Sequence, residues 1–398
     1  MTQSRSTGIA STYAGLASHV KGQDHALTIL SVLLSMHMSW FEHRLRDHPS
    51  PNGLMIGPTG VGKTYTIQRA AELLQIPYVV VDTTALVPAG IVGLQIEDVA
   101  EELVESAKAL LAGRRIAATS RVSGARLEGE KGVSTPIGEV VPATSFTEDL
   151  RRTLSESKEE PKVRMSREAS DRLTRDAIRL AEKGIVFFDE FDKISVSDPK
   201  DRQTSSANAA QVQRRLLKFI EGASVRVGVK LHGQAGDADY FLDTAGVLCL
   251  ASGAFADIAD VRRKRSHELA RFKSTAAGDI IAQDLIEYGF MPELIARLPV
   301  LIQYGELDVD ALAEILADPK AGPLKVWQDY MPMEGLELKI SPEVVRIVAE
   351  YAHALKLGAR GLTQILFPIL AQVTSLAQQT GVSIVELRSD QFLAHPNM

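Results

Sequence analysis

The sequence has a single cysteine, Cys249, inside the apolar run Val247-Leu248-Cys249-Leu250. One thiol excludes an internal disulfide and any cysteine-based zinc cluster, and its neighbours predict a buried core residue. No apolar run is long enough to span a bilayer. Met1 to Ser11 lack the apolar centre of a secretory signal, so the chain is expected to be cytoplasmic. Positive charge is in short supply: 44 Lys and Arg against 50 Asp and Glu give a net charge of −6 and a pI near 5.9. That balance offers no general attraction to nucleic acid or to an anionic membrane surface. No internal repeat is visible. What is left is an ordinary globular composition, 45% hydrophobic and 24% charged, in 398 residues, which is enough for two or three domains.

Within that ordinary composition one stretch stands apart. Gly57-Pro58-Thr59-Gly60-Val61-Gly62-Lys63-Thr64 fits the phosphate-loop pattern G-x-x-x-x-G-K-[ST] without a mismatch. Leu54-Met55-Ile56 before it reads as a buried strand, and Ile67, Ala70, Ala71 and Leu74 after it recur at helical spacing. A strand, a glycine-rich turn and a helix form the context that distinguishes this motif from a chance glycine-rich turn. Backbone N–H groups of such a loop close around a polyphosphate, and the helix N-terminus adds partial positive charge. Lys63 would reach the terminal phosphates, and the Thr64 hydroxyl would hold Mg²⁺.

Upstream, Val20 and Gly22 could set a backbone turn against an adenine ring, or they could simply begin the apolar helix of Ala26 to Trp40. Downstream, Pro77 to Val81 reads as a second parallel strand, and a helix is expected over Glu97 to Leu111 after the glycine-bracketed loop Gly90-Ile91-Val92-Gly93. Residues 113–165 change character. They are rich in Ser, Thr, Gly, Arg and Glu, without sustained periodicity, and read as an insertion that is partly disordered or loosely folded. Helical spacing resumes over Arg167 to Glu182.

Gly184-Ile185-Val186-Phe187-Phe188-Asp189-Glu190 describes a central parallel strand that delivers two carboxylates at its C-terminal end, where open α/β sheets bind ligands. Asp189 would hold Mg²⁺ through water, and Glu190 would orient and deprotonate an attacking water. A helix follows over Gln211 to Glu221 and another buried strand over Gly246 to Ala251. Ser252, at the end of that strand, is placed to sense a γ-phosphate or the attacking water, or else only forms the turn. Arg262 to Arg265 read as a solvated helix face. A short helix stops at Pro299, leaving Arg297 on an exposed helix end. From about Leu307 the pattern is helical, with Asp308 as an N-cap and a helix from Leu362 to Gln378 after Gly358-Ala359-Arg360-Gly361. An arginine at a helix start opposes the dipole, so Arg360 calls for an anion.

Together these stretches resemble the AAA+ protein unfoldases of the ClpX and HslU type, within the Clp/Hsp100 family. The match runs from Val20-Lys21-Gly22-Gln23 through GPTGVGKT, GIVFFDEFDKI (184–194), LLKFIEG (216–222) and ASGAF (251–255) to PELIARLP (292–299) and GARGL (358–362). The resemblance implies an α/β fold: a P-loop domain with a parallel sheet between helices, carrying an inserted segment, then a small, mostly helical C-terminal domain. The boundaries would be 1–24, 25–306 and 307–398. It implies ATP and Mg²⁺ as cofactors, with ATP hydrolysis in a homo-hexameric ring. Arg297 would be the finger reaching a neighbour's ATP, and Arg360 the sensor touching nucleotide from the small domain. Protein substrates and, by the same likeness, a peptidase would be its partners.

Three departures stand against a full match. The loop that carries an aromatic in those relatives has Ile91 here. Neither the cysteine zinc domain nor the Ile-Gly-Phe docking loop of ClpX is visible, and His395-Pro396-Asn397-Met398 does not look like the tail of HslU. Two other readings stay open: a ring motor acting on nucleic acid, which the acidic pI argues against, and a nucleotide-gated scaffold or small-molecule kinase.

Overall fold

The computed structural model describes residues 8–42, 51–87, 93–113, 121–122, 167–196, 205–228, 230–231, 234–235, 240–270 and 279–389. The loop carrying Ile91, almost all of the insertion and the last four residues lie outside that set.

The main sheet uses β1 (Gly53–Ile56), β2 (Tyr78–Asp82), a two-residue β3 (Arg121–Val122) and β4 (Ile185–Asp189). After β5 (Ser224–Val227), β6 (Lys230–Leu231), β7 (Gln234–Ala235) and β8 (Tyr240–Asp243) it continues with β9 (Leu248–Gly253) and β10 (Val300–Gln303). The order is β10-β1-β9-β4-β2-β3, with every pairing parallel. Strands covered on both faces must be apolar nearly throughout, and all four residues of β1 and all six of β9 are buried. Alternate side chains serve opposite faces. Met55, Val80, Phe187 and Leu250 meet the helices Ile9–Ala17, Asp24–Glu42 and Lys63–Leu74. Leu54, Val79, Phe188 and Ala251 meet Ile96–Leu111, Arg167–Ala181 and Ser205–Glu221.

Strand order fixes where a ligand can sit. From β1 the chain goes to β2, returns through β4 and β9, and then crosses β1 to add β10 on its other side. The reversal leaves a crevice beyond the C-terminal end of β1, the position where open α/β sheets bind ligands.

After β10 come the helices Val309–Leu316, Pro323–Tyr330, Pro342–Ala354 and Gly358–Thr380. A parallel pair, β11 (Glu337–Ile340) and β12 (Ile384–Leu387), joins them. Asp308 caps the first of these helices, its Oδ1 accepting from Ala311 N at 2.7 Å. Leu312, Val348, Leu362 and Leu370 belong to the same buried cluster as Met55 and Leu250. The core is therefore continuous across the expected division at residues 306 and 307.

Several elements differ from expectation. The pairs β5–β8 and β6–β7 form antiparallel ribbons with no forecast in the sequence. The long helix begins at Gly358 and not at Leu362. Arg265 does not lie on a solvated face: it is buried, and its guanidinium pairs with the fully buried Asp284 at 2.8 Å. Helix Ile258–Ala270 turns this arginine inward against Ala282–Tyr288, where only a carboxylate partner makes its burial tolerable.

Candidate nucleotide-binding and hydrolysis site

A cavity of about 430 Å³ opens at the switch point. The loop from Thr59 to Thr64 forms one wall, and Asp189, Glu190 and Asp192 form the next. Leu307, Ile315, Pro323, Ala359 and Arg360 close it from the helical part, with Val20 and His19 beside them. Val20 is buried at the rim and presents an apolar side chain to the cavity. Gly57 and Pro58 stand behind the lining and shape the loop's entry.

Gly62 precedes helix Lys63–Leu74 with φ +95°, a conformation that residues with a Cβ adopt only at a cost. A Cβ there would meet nothing within 4 Å, so the backbone angle demands glycine while the space around it stays open for a ligand. The N–H groups of Lys63, Thr64 and their neighbours open the helix toward the cavity, the arrangement that binds phosphate. Lys63 Nζ curls over the loop and donates to Gly57 O at 2.6 Å and Pro58 O at 2.8 Å. Burial lowers its pKa to about 8, opposed by Asp189 and Asp192 and assisted by the positive charge of Arg360.

At the end of β4 the carboxylate of Asp189 is held from three directions. Oδ2 accepts from Thr64 Oγ1 at 2.9 Å. Oδ1 accepts from Ser252 Oγ at 2.8 Å and from Glu190 N at 3.0 Å. Hydroxyl and carboxylate together make a hard oxygen donor set of the kind Mg²⁺ takes with phosphates and water. The pair Thr64 and Asp189 therefore fits that ion.

Ser252 is fully buried and is not among the lining residues. Its hydroxyl meets Asp189, not the cavity, because β9 lies beside β4 in register.

Glu190 has φ 54°, a left-handed conformation uncommon outside glycine, and its side chain faces the cavity exposed. Strain of this kind persists where surrounding contacts over-determine the turn. Thr83 supplies such contacts: its buried hydroxyl lies 2.8 Å from both the Asp189 and the Glu190 carbonyl oxygens.

The two arginines part company. Arg360 lines the cavity opposite the phosphate loop. Its helix touches that loop directly, with Ala359 N donating to Gly60 O at 3.0 Å. A Cβ on Gly358, whose φ is +61°, would come within 2.9 Å of the same oxygen, so glycine is required for this approach. Arg297 caps helix Pro292–Ala296 and is absent from the lining. Its guanidinium is half exposed, with Nε and Nη2 donating to Glu221 Oε1 at 3.1 and 2.9 Å.

The arrangement offers cations for phosphate, an oxygen pair for a divalent ion, and an exposed carboxylate within a preformed turn. Thr83 and Asp192 were not singled out in the sequence, and Ser252, expected to sense a γ-phosphate or the attacking water, instead holds Asp189. Asp192 alone left a local trace, two residues beyond Glu190.

Comparison with known proteins agrees with this geometry. The family described as AAA domain (Cdc48 subfamily) matches residues 48–301, well over half of the chain. The chain is 29% identical over 380 residues to the ATP-dependent Clp protease ATP-binding subunit ClpX 2 of Wolinella succinogenes, covering 93% of this chain and 79% of that one. It is 28% identical over 378 residues to the ATP-dependent Clp protease ATP-binding subunit ClpX of Porphyromonas gingivalis, covering 89% and 74%. A complete phosphate loop at the switch point, two acids at the C-terminal end of β4 and that family match lead to one assignment: the chain is a nucleotide-binding ATPase of the AAA domain family, Cdc48 subfamily.

Proposed function

We propose that the protein is an ATP-driven protein unfoldase or remodeller that works as a homo-hexameric ring in the cytoplasm. The observation that carries this reading is the position of Arg297, exposed at the surface and outside its own cavity. A guanidinium placed there does not line its own cavity and is accessible to a neighbouring copy. The relatives named as ATP-binding subunits of a protease give the classes of cargo and partner: protein substrates and a peptidase.

In this reading Lys63 and Arg360 hold the phosphates, and Thr64 with Asp189 holds Mg²⁺. The ion supplies charge neutralisation on the phosphate oxygens when bound. Glu190 takes the proton of the attacking water, the role that needs an exposed carboxylate close to the terminal phosphate. Ser252, Thr83 and the Glu190 amide keep both acids in place. Arg297 of the next subunit stabilises charge that develops on the transferred group. Because Arg360 arrives from the helical part, binding and loss of nucleotide bias how that part sits on the sheet domain.

Nucleic acid as cargo gains no observation in its favour, since the burial of Arg265 removes one member of the basic cluster. ATPase rates measured with unfolded protein, folded protein and single-stranded DNA added in turn test the reading. Unfolded or folded protein should raise turnover. A rise with DNA alone, suppressed by salt, would transfer the protein to the nucleic-acid class.

A further inference from the structure

Glu190 and Arg297 serve different nucleotides in the function proposed above, one in its own subunit and one in the next. Inside the fold a buried amide stands between them, beside a direct backbone bond from Val196 N to Gly289 O at 3.0 Å. Gln213, on helix Ser205–Glu221, is fully buried. Its Nε2 donates to Ile194 O at 2.7 Å, the last residue of the tight turn Phe191–Ile194 that follows Glu190 directly. The same nitrogen donates to Gly289 O at 3.2 Å. Its Oε1 accepts from Met291 N at 2.8 Å, and Met291 is the N-cap of the short helix that ends at Arg297.

Both donors and the acceptor of the amide are therefore used, and they join two segments almost a hundred residues apart in sequence. An apolar side chain would fill this position without desolvating an amide, so the polar group has to be justified by the geometry it fixes. Aromatic packing follows the same line. Phe191, next to Glu190, stacks on Phe290, next to Met291, with ring centroids 5.0 Å apart and planes 6° from parallel. Simple anchoring of this region does not require Gln213, because the Arg265–Asp284 pair already fixes helix Ala282–Tyr288 from the other side.

We propose that Gln213 is a positioning residue that locks the turn behind Glu190 to the helix bearing Arg297, so that one subunit's own hydrolytic site and the finger it lends to its neighbour move as one body. Glu221, at the far end of the same helix, holds the guanidinium itself and completes the frame.

The proposal rests on Arg297 acting in trans, and mixed rings separate the two ideas. Gln213→Met keeps the length of the side chain and removes all three hydrogen bonds. Met291→Pro removes the N–H whose hydrogen bond Gln213 accepts, at a backbone φ of −64° that proline adopts, and Met291→Ala controls for the side chain that packs against the core. Gln213→Met and Met291→Pro should each assemble and bind ATP with parent affinity while turnover falls roughly ten- to a hundredfold, the cost of misplacing reacting groups by about 1 Å. Neither the mixture of Gln213→Met with Glu190→Gln nor that with Arg297→Ala should reach the hydrolysis of the mixture of Glu190→Gln with Arg297→Ala, because every mixed interface still contains one displaced group. A purely structural role would not give that pattern: damage to the finger alone is rescued by the first mixture, and damage to the acid alone by the second. Rescue in either mixture to the level of the Glu190→Gln with Arg297→Ala mixture, or parent turnover in Met291→Pro, overturns the coupling. The control mixture of Glu190→Gln with Arg297→Ala must regain hydrolysis. If it does not, the trans reading itself falls and the coupling falls with it. Should Gln213→Met fail to fold, Met291→Pro carries the same mixtures.

Discussion

On the carboxylate side of the cavity, Asp189 receives two side-chain hydroxyls and a backbone amide, and Thr83 braces the turn of Glu190. The arginine side is built differently. Arg360 makes no hydrogen bond or ion pair among the described residues, and Arg297 sits half exposed against Glu221. Under the function proposed above, the Asp189 carboxylate and the backbone turn of Glu190 are set in advance by buried groups, which keeps reorganisation small when charge develops. The two arginines in that reading come from the helical part and from another copy, and no comparable set of buried groups holds either one.

Breaking each side in turn tests the contrast. The largest effects should come from the groups at the reacting centre. Glu190→Gln should bind ATP and lose hydrolysis by roughly a hundred- to ten-thousandfold, and Arg297→Ala should lose about a thousandfold or more with affinity retained. Steady-state ATPase alongside equilibrium nucleotide binding measures both. Parent turnover in Glu190→Gln would remove it as the base.

Arg360→Ala should act on binding before chemistry. A lost charged hydrogen bond of about 1.5–3 kcal/mol corresponds to roughly a ten- to hundredfold weaker nucleotide affinity, read by titration calorimetry. Unchanged affinity would mean that the helical part does not touch the nucleotide.

Ser252→Ala should lower kcat by about tenfold with KM nearly unchanged, as expected when a group that only orients another is removed. A rise in KM would instead return Ser252 to direct contact with the γ-phosphate.

The smallest effect concerns pH. Lys63 has its pKa lowered to about 8, and the protonated form is the one that attracts phosphate. Raising the pH through that value discharges it, so ATP affinity should fall by about fourfold between pH 7 and 8.5. A flat profile over that interval would show that the charge of Lys63 adds little to ground-state binding.

The phosphate loop with its strand and helix, the buried strand ending at Asp189 and Glu190, and Arg360 at a helix start were all legible in the sequence. Each is a local pattern: glycine spacing, an apolar run ended by acids, or a charge opposed to a dipole. The predicted helices over Glu97 to Leu111 and around Arg167 to Glu182 also match the observed ones within a few residues, because apolar periodicity is set by the faces they bury. The ribbons of β5 to β8 escaped notice because strands of two to four residues, such as β5 with alternate residues exposed, leave too short a pattern to read. The partners of the site escaped for a different reason. Ser252 lies 63 positions from Asp189, Gln213 lies 78 from Met291, and Thr83 lies 106 from Asp189. No spacing rule links such residues. Parallel pairing of β4 with β9 and β2 brings the first and third of these pairs together, and helix packing brings the second. Local residue chemistry thus determined which groups can bind phosphate and carry a proton, whereas only the tertiary structure decided which buried hydroxyls and amides hold them still, since those contacts form when distant segments pack.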